Sequence, residues 1–305
     1  MNNTSSMSAD AVSLCAYAKI NIHLKVLAKR EDGFHNLESI FQRISIADYL
    51  SITRSNDLHG CTVESPLLPL PAENTLTKAW TVFSGATGID TGIAVRLIKN
   101  LPAGSGLGAG SSDAAALLKA VNELFAMPLS NAELTELALQ VGSDVPFFLS
   151  GNAGVVTGRG EVFKPLQART DCFGILIWPD VQSSTKEAYL LLDDQKKEPF
   201  DEPDAWGYEK LSEQYHAPFK AWQFVNDFQP MLEQRYPVIS RVCTDFYEQG
   251  AEFAQMSGSG SAVFGLFRSE RLMTSAFQVL AKSGAGVNRF SYLLNKTLRC
   301  IMDLP

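Results

Sequence analysis

Four glycines fall within seven residues, at Gly104, Gly106, Gly108 and Gly110, between an alternating apolar segment and a long helical stripe. Ile93, Val95 and Leu97 before them repeat with the period of a strand. Leu117, Leu118, Val121, Leu124 and Phe125 after them form one inward helical stripe, with Ser111, Ser112 and Asp113 suited to its N-terminus. A backbone without Cβ atoms that enters a helix can approach a ligand closely and aim N–H groups and the positive helix end at it. Phosphate is the natural guest of such a strand–loop–helix unit.

Three common phosphate loops do not fit. A P-loop closes on Gly-Lys-Ser/Thr, but Gly110 is followed by Ser111 and the loop holds no lysine. A Rossmann turn is nominally matched by Gly104, Gly106 and Ala109. The position about 20 residues on falls near Ser130, at a helix cap and not at an acidic strand end. A protein-kinase loop is followed by VAIK, HRD and DFG signatures, and the chain has none of them.

Elsewhere the pattern predicts an α+β chain. Ala16, Ala18, Ile20, Ile22, Leu24 and Val26 alternate with Tyr17, Lys19, Asn21, His23 and Lys25, as in a half-buried strand. Asp32-Gly33 signals a turn before a second strand from about Ile40 to Thr53, so a hairpin opens the fold. Asn74 to Ser84 reads as a short helix with Leu76, Ala79, Trp80 and Phe83 inward. Ser130 and Glu133 make a capping box for another helix, which stops at Gly142. Further strands are expected at Phe173–Trp178 and Ala262–Phe267, with an Asp/Glu/Pro-rich surface segment at 193–204. Hairpins mixed with helices, without regular βαβ alternation, place a domain boundary near 160–170.

At 305 residues and 46% apolar content the chain can bury one large core or two intimate ones. A formal net charge of -7 argues against a nucleic-acid partner, so any anion must be held locally. Cys15, Cys61, Cys172, Cys243 and Cys300 are odd in number and scattered, which fits a reducing, cytoplasmic setting. No apolar run approaches the ~20 residues of a membrane span, and Met1 to Asp10 reads as a flexible polar tail. His23, His59 and His216 read as structural or solvated.

The loop Pro102-Ala103-Gly104-Ser105-Gly106-Leu107-Gly108-Ala109-Gly110-Ser111-Ser112 resembles the phosphate loop of the GHMP kinases, named for galactose, homoserine, mevalonate and phosphomevalonate kinases. Ala18-Lys19-Ile20-Asn21, Arg30-Glu31-Asp32-Gly33-Phe34-His35-Asn36-Leu37, Gly142-Ser143-Asp144-Val145-Pro146-Phe147-Phe148 and Ser257-Gly258-Ser259-Gly260-Ser261 are similar, in order, to the branch of that family acting on a cytidyl-linked methylerythritol. The match is densest up to residue 160 and thin between about 180 and 250. Asp113 stands where the branch usually has Asn, and Ala103, Ser105 and Ala109 where it often has Met or Gly.

The resemblance implies a two-domain GHMP fold, with an N-terminal ribosomal-protein-S5-like domain (11–165), a C-terminal ferredoxin-like domain (166–305) and the active site in the cleft between them. It implies transfer of the γ-phosphoryl group of ATP to the 2-hydroxyl of 4-diphosphocytidyl-2-C-methyl-D-erythritol, in the non-mevalonate route to isoprenoid precursors. Lys19 and Asp144 match the family's catalytic pair. Pro102 to Ser112, Asn74 and Lys99 match its ATP contacts. Asn21, Phe34, His35, Asp144 and Tyr189 are implied to hold the cytidyl substrate, and Ser112 to contact Mg²⁺ arriving with ATP. The chain is expected to act as a monomer or weak homodimer, without nucleic acid or membrane. A different GHMP kinase, acting on mevalonate, homoserine or a sugar, is disfavoured by Asp32-Gly33-Phe34-His35. A regulator that has lost catalysis is disfavoured by Lys19 and Asp144, which nucleotide binding alone does not need.

Overall fold

The computed structural model describes residues 11–56, 59–169, 171, 173–181, 183–195, 205–283 and 286–291. The expected tail at 1–10 and residues 196–204 of the acidic segment lie outside the described residues.

Alternation extends on both sides of Ala16–Val26 to give β1 (Ala11–Lys29), paired antiparallel with β2 (His35–Ser55) from Ala11 opposite Thr53 to Lys29 opposite His35. Gly33, at φ 83°, makes the turn between them. The other edge of β2 is shared. β5 (Ala153–Thr157) pairs with its first part and β4 (Gly92–Ile98) with its second. β3 (Cys61–Glu64) lies parallel beside β4, and β6 (Val162–Pro165) lies outside β5.

Four helices cover one face of this sheet: α1 (Thr75–Thr87), α2 (Ala109–Leu124), α3 (Asn131–Val141) and α4 (Val145–Ser150). Leu76, Trp80 and Phe83 of α1 and Leu117 and Val121 of α2 are buried against Leu14, Ile52 and Val95 of the strands. Each such side chain contributes roughly 1.5–3 kcal/mol on burial. The expected capping box of α3 is present, with Ser130 N donating to Glu133 Oε2 at 2.8 Å and Glu133 N to Ser130 Oγ at 3.4 Å. Asn74 caps α1 in the same way and is not its first residue.

The second sheet is antiparallel, in the order β10 (Gly286–Ser291), β7 (Phe173–Trp178), β9 (Val263–Phe267), β8 (Phe253–Met256). It packs against α5 (Thr185–Gln195), α7 (Gln229–Arg235), α8 (Pro237–Glu248) and α9 (Glu270–Leu280) through Leu192, Leu232, Ile239, Phe246 and Met273. A further apolar cluster joins the two halves. Ile20, Ile22 and Ile40 meet Leu176, Phe264 and the residues Leu211 and Tyr215 of α6 (Gly207–His216).

One expectation needs correction. The alternation of β1 predicts a half-buried strand, yet Lys19, Asn21 and His23 on its polar face are as buried as the isoleucines opposite. The period records two buried environments, an apolar interface on one side and polar loops on the other. Cys61 and Cys243 are free thiols, whereas Cys15 is disulfide-bonded, which the scattered cysteine spacing gave no reason to expect. Among the described residues no helix is long and apolar enough to cross a membrane.

Candidate active site

The glycine stretch leaves β4 and enters α2 with Gly108 as the N-cap residue. No side chain caps that helix end, so its first N–H groups are not spent on the chain's own carboxylates or hydroxyls. Gly104, Gly106 and Gly108 have φ values of 68°, 78° and 69°. Space, as well as φ, restricts two of them. A Cβ on Gly106 would meet Ser257 O at 1.9 Å, and one on Gly108 would meet Phe148 at 2.9 Å and the Lys19 stem at 3.1 Å. The tight fit at Gly106 arises because the second glycine cluster docks there. Ser257 Oγ donates to Gly106 O at 3.0 Å and accepts from Asn21 N at 3.1 Å, while Ala262 N donates to Ser105 O. Around Gly104 nothing lies within 4 Å of an added Cβ. Gly104→Ala should therefore cost only the left-handed strain of about 1–2 kcal/mol. Gly106→Ala must in addition separate the two loops, so its KM for ATP should rise at least tenfold more. Titration of ATP against both variants checks this, and equal effects would contradict the docking argument.

Lys19 lies beneath the loop, its main chain bonded to Leu107 O at 3.0 Å. Its ammonium donates to Asn21 Oδ1 at 2.5 Å, sits 4.5 Å above the Phe41 ring and lies 3.7 Å from Asp144 Oδ2. Two distant segments thus converge beside the glycine loop. Asp144 occupies the N-cap position of α4, but its carboxylate makes no cap hydrogen bond and is 31% exposed in the cleft. Burial pulls the Lys19 ammonium below the usual lysine range, and Asp144 opposes that pull without overcoming it. Further negative charge placed here would stabilise the ammonium.

The cleft has a volume of about 1180 Å³. That exceeds the roughly 300–1,000 Å³ of a single small-molecule site, so there is room for two ligands. Its far wall carries Phe34, His35 and Tyr189. The Tyr189 ring stacks on His35 with centroids 5.3 Å apart and planes 14° off parallel, and meets Phe228 edge-on. His35 Nε2 lies 3.0 Å from Asp193 Oδ1, and Lys29 donates to Asp193 Oδ2 at 2.6 Å. Phe34 is 56% exposed beneath the Arg159 guanidinium, 4.8 Å from the ring centre. Burial, with the Asp144 charge adding, raises the Tyr189 phenol above its ordinary range.

Of the residues expected at the site, Lys19, Asn21, Phe34, His35, Asp144, Tyr189, Pro102, Gly104 to Gly110 and Ser111 all line this cleft. Ala103, Ser112, Asn74 and Lys99 do not. Ser112 Oγ donates to Tyr17 O at 2.7 Å, inside the α2–β1 contact, whereas Ser111 lines the cleft. Asn74 Oδ1 accepts the Leu76 and Thr77 N–H groups as a cap. Lys99 is held by Asp48 at 2.5 Å and Asp113 at 2.9 Å. Burial pushes Asp113 up to about 7, with Lys99 opposing and Asp48 adding. Asp113 is therefore a core partner of Lys99 inside α2, four residues past its first position, and not a helix-start residue. His23 is also structural: burial holds its imidazole down at about 3, stacked on Trp206.

Sequence reasoning missed Arg159, Lys186, Thr75 and Ser183, which also line the cleft. Arg159 sits in the turn Gly158-Arg159-Gly160, and glycines flanking a lone arginine were the available signal. Ser183 donates to Ser259 O at 2.8 Å and Thr185 bonds Ser259 Oγ at 2.9 Å, tying the start of α5 to the second glycine cluster.

Both halves of the chain are similar to known proteins. Residues 74–152 match the GHMP kinases N terminal domain and residues 210–286 the GHMP kinases C terminal domain. The 4-diphosphocytidyl-2-C-methyl-D-erythritol kinase of Treponema pallidum (strain Nichols) is 44% identical over 277 residues, covering 89% of this chain and 95% of its own. That of Thermotoga maritima is 38% identical over 275 residues, covering 88% and 95%. A crystal structure of 4-(cytidine 5'-diphospho)-2C-methyl-D-erythritol kinase superposes with a TM-score of 0.74 at 30% identity, over 92% of this chain and 99% of that one. A homoserine kinase from Cytophaga hutchinsonii superposes with a TM-score of 0.73 at 20% identity, over 96% and 98%, and shares the fold.

Proposed function

Because the chain belongs to the 4-diphosphocytidyl-2-C-methyl-D-erythritol kinases of the GHMP family, we propose that it transfers the γ-phosphoryl group of ATP to the 2-hydroxyl of the methylerythritol unit of that substrate. The observation that carries the chemistry is the Lys19–Asp144 pair, 3.7 Å apart beside an uncapped glycine loop.

In this reading the N–H groups from Gly104 to Ser111 hold the β- and γ-phosphates, which is why the loop needs no lysine. Preorganised donors of this kind are each worth roughly 2.7–4 kcal/mol toward developing negative charge. Asp144 accepts a hydrogen bond from the attacking hydroxyl and takes its proton late. A carboxylate of pKa ~3.9 cannot remove a proton from a hydroxyl near water's ~15.7 before attack, and a loose phosphoryl-transfer transition state does not require it. Lys19 keeps Asp144 ionised and offsets charge on the transferring group. When bound with ATP, Mg²⁺ would supply charge neutralisation at the phosphate oxygens. Ser111 and Asp144, which line the cleft, would hold it, whereas Ser112 is 3% exposed and does not line the cleft.

The aromatic wall supports a cytidyl acceptor. Phe34 and Tyr189 offer ring faces to a base, His35 offers an edge for hydrogen bonds, and Arg159 and Lys186 bring positive charge suited to a diphosphate. Coupled ATP turnover should be found with the cytidyl methylerythritol and not with mevalonate, homoserine or galactose. Preferred turnover of one of those, or ATP binding with no turnover on any of them, would overturn the assignment. Tyr189→Ala should raise KM for the cytidyl substrate by a stacking contribution of about 1–3 kcal/mol, or roughly 5–150-fold, with KM for ATP unchanged. An equal rise in both would remove Tyr189 from the acceptor side.

A further inference from the structure

A small cavity of about 20 Å³ lies behind the cleft, between β1, β2, α2 and α4. Its walls include Arg43, Lys119, Tyr17, Ser112, Leu14 and the Phe148 ring. Arg43 stands opposite Lys19 in the β1–β2 register and is only 5% exposed. Its guanidinium donates to Phe148 O at 2.8 Å and to Asn152 Oδ1 at 3.3 Å, while its Nε finds no acceptor among the described residues. Lys119 donates one hydrogen bond, to the same Phe148 O, at 3.4 Å. Among the described residues no carboxylate acts on either cation; Tyr17 acts on Arg43, and Arg43 acts on Lys119.

Two like charges, one buried and one half-buried, with no counterion among the described residues are costly in a low-dielectric environment. The cost is visible in their basicities. Burial brings Arg43 down to about 10, and burial together with the Arg43 charge brings Lys119 down to about 8.

We propose that this cavity binds a small monovalent anion of the halide class between Arg43 and Lys119. Size and hydrogen-bond chemistry select it. The cavity is close to the roughly 10–15 Å³ that one water-sized guest requires, too small for a tetrahedral oxyanion. The two cations are pure donors, and the Ser112 hydroxyl is already committed to Tyr17 O. A guest that carries negative charge compensates the two cations and accepts from the unpartnered Arg43 Nε, whereas water offers no compensating charge. The bound ion would brace α4, which begins directly after Asp144, against α2 and β2 from behind the Lys19–Asp144 pair.

Melting of the full chain in sodium bromide and in sodium gluconate at equal ionic strength tests this. Bromide should raise Tm saturably, by about 2–4 °C. Lys119→Met keeps the packing of the side-chain stem while removing one half-buried charge, and it should fold and lose the bromide shift. Bromide-soaked crystals should give an anomalous peak between Arg43 Nε and Lys119 Nζ. Identical wild-type melting in the two salts, a bromide shift that survives in Lys119→Met, or no peak at that position would overturn the proposal.

Discussion

Asp144→Asn should lower kcat by about 10²–10⁴-fold, the range supplied by a positioned general base, while ATP affinity stays within a few-fold of wild type. The amide has nearly the shape of the carboxylate and can accept a hydrogen bond from the attacking hydroxyl, so orientation is largely kept. What it cannot do is take the proton as the new phosphate ester forms, or oppose the Lys19 ammonium 3.7 Å away. Loss of negative charge beside a triphosphate should, if anything, favour ATP. Because Asp144 is partly exposed and makes no cap hydrogen bond to α4, the substitution should leave the fold intact. Steady-state turnover with both substrates, together with calorimetric titration of ATP, separates the two effects. Undiminished turnover would remove Asp144 from the chemistry, and lost ATP binding would make it a nucleotide contact instead.

The fold was legible wherever local period and capping chemistry act alone. Ser130 and Glu133 place the start of α3, the alternation of Ala16–Val26 identifies β1, and Phe173–Trp178 is found as a strand to the residue. Pairing was not legible. β2 shares one edge between β4 and β5, partners that lie far along the chain from it and from each other. The same limit explains Lys19, Asn21 and His23. Their polarity read as solvent exposure, whereas β1 is covered on that face by loops from other parts of the chain.

At the site, backbone-driven features were readable and side-chain commitments were not. The glycine loop could be located because only glycine tolerates both the left-handed backbone and the approach of Ser257 at Gly106. Ser111 and Ser112 are indistinguishable in sequence, yet one helical step, about 100° of rotation, sends the first toward the cleft and the second to Tyr17 O. Lys99, expected on the ATP side, is held by Asp48 and Asp113 and does not line the cleft. Neither pairing has any signature at the spacing of those residues.

Lys19→Met should separate activity from stability. Turnover should fall about 10²–10³-fold, the effect of removing one donor from an anion-stabilising site. Stability should change by no more than about 1 kcal/mol, because replacing a buried, poorly compensated cation by an apolar chain of similar length is close to neutral. The pH dependence supplies the sign. Burial lowers the Lys19 pKa in the folded protein below its ordinary 10.5, so between those two values the unfolded chain binds more protons than the folded one. Wild-type stability should therefore rise with pH across that window, and Lys19→Met should lose this contribution. Activity should run the other way. In wild type, kcat/KM should fall as pH climbs through the depressed pKa and the ammonium is lost, and this alkaline limb should vanish in the methionine variant. Paired melting and kinetic profiles between pH 7 and 10 measure both slopes. A variant that retains the alkaline limb would show that another group sets it, and the ammonium of Lys19 would then have no place in phosphoryl transfer.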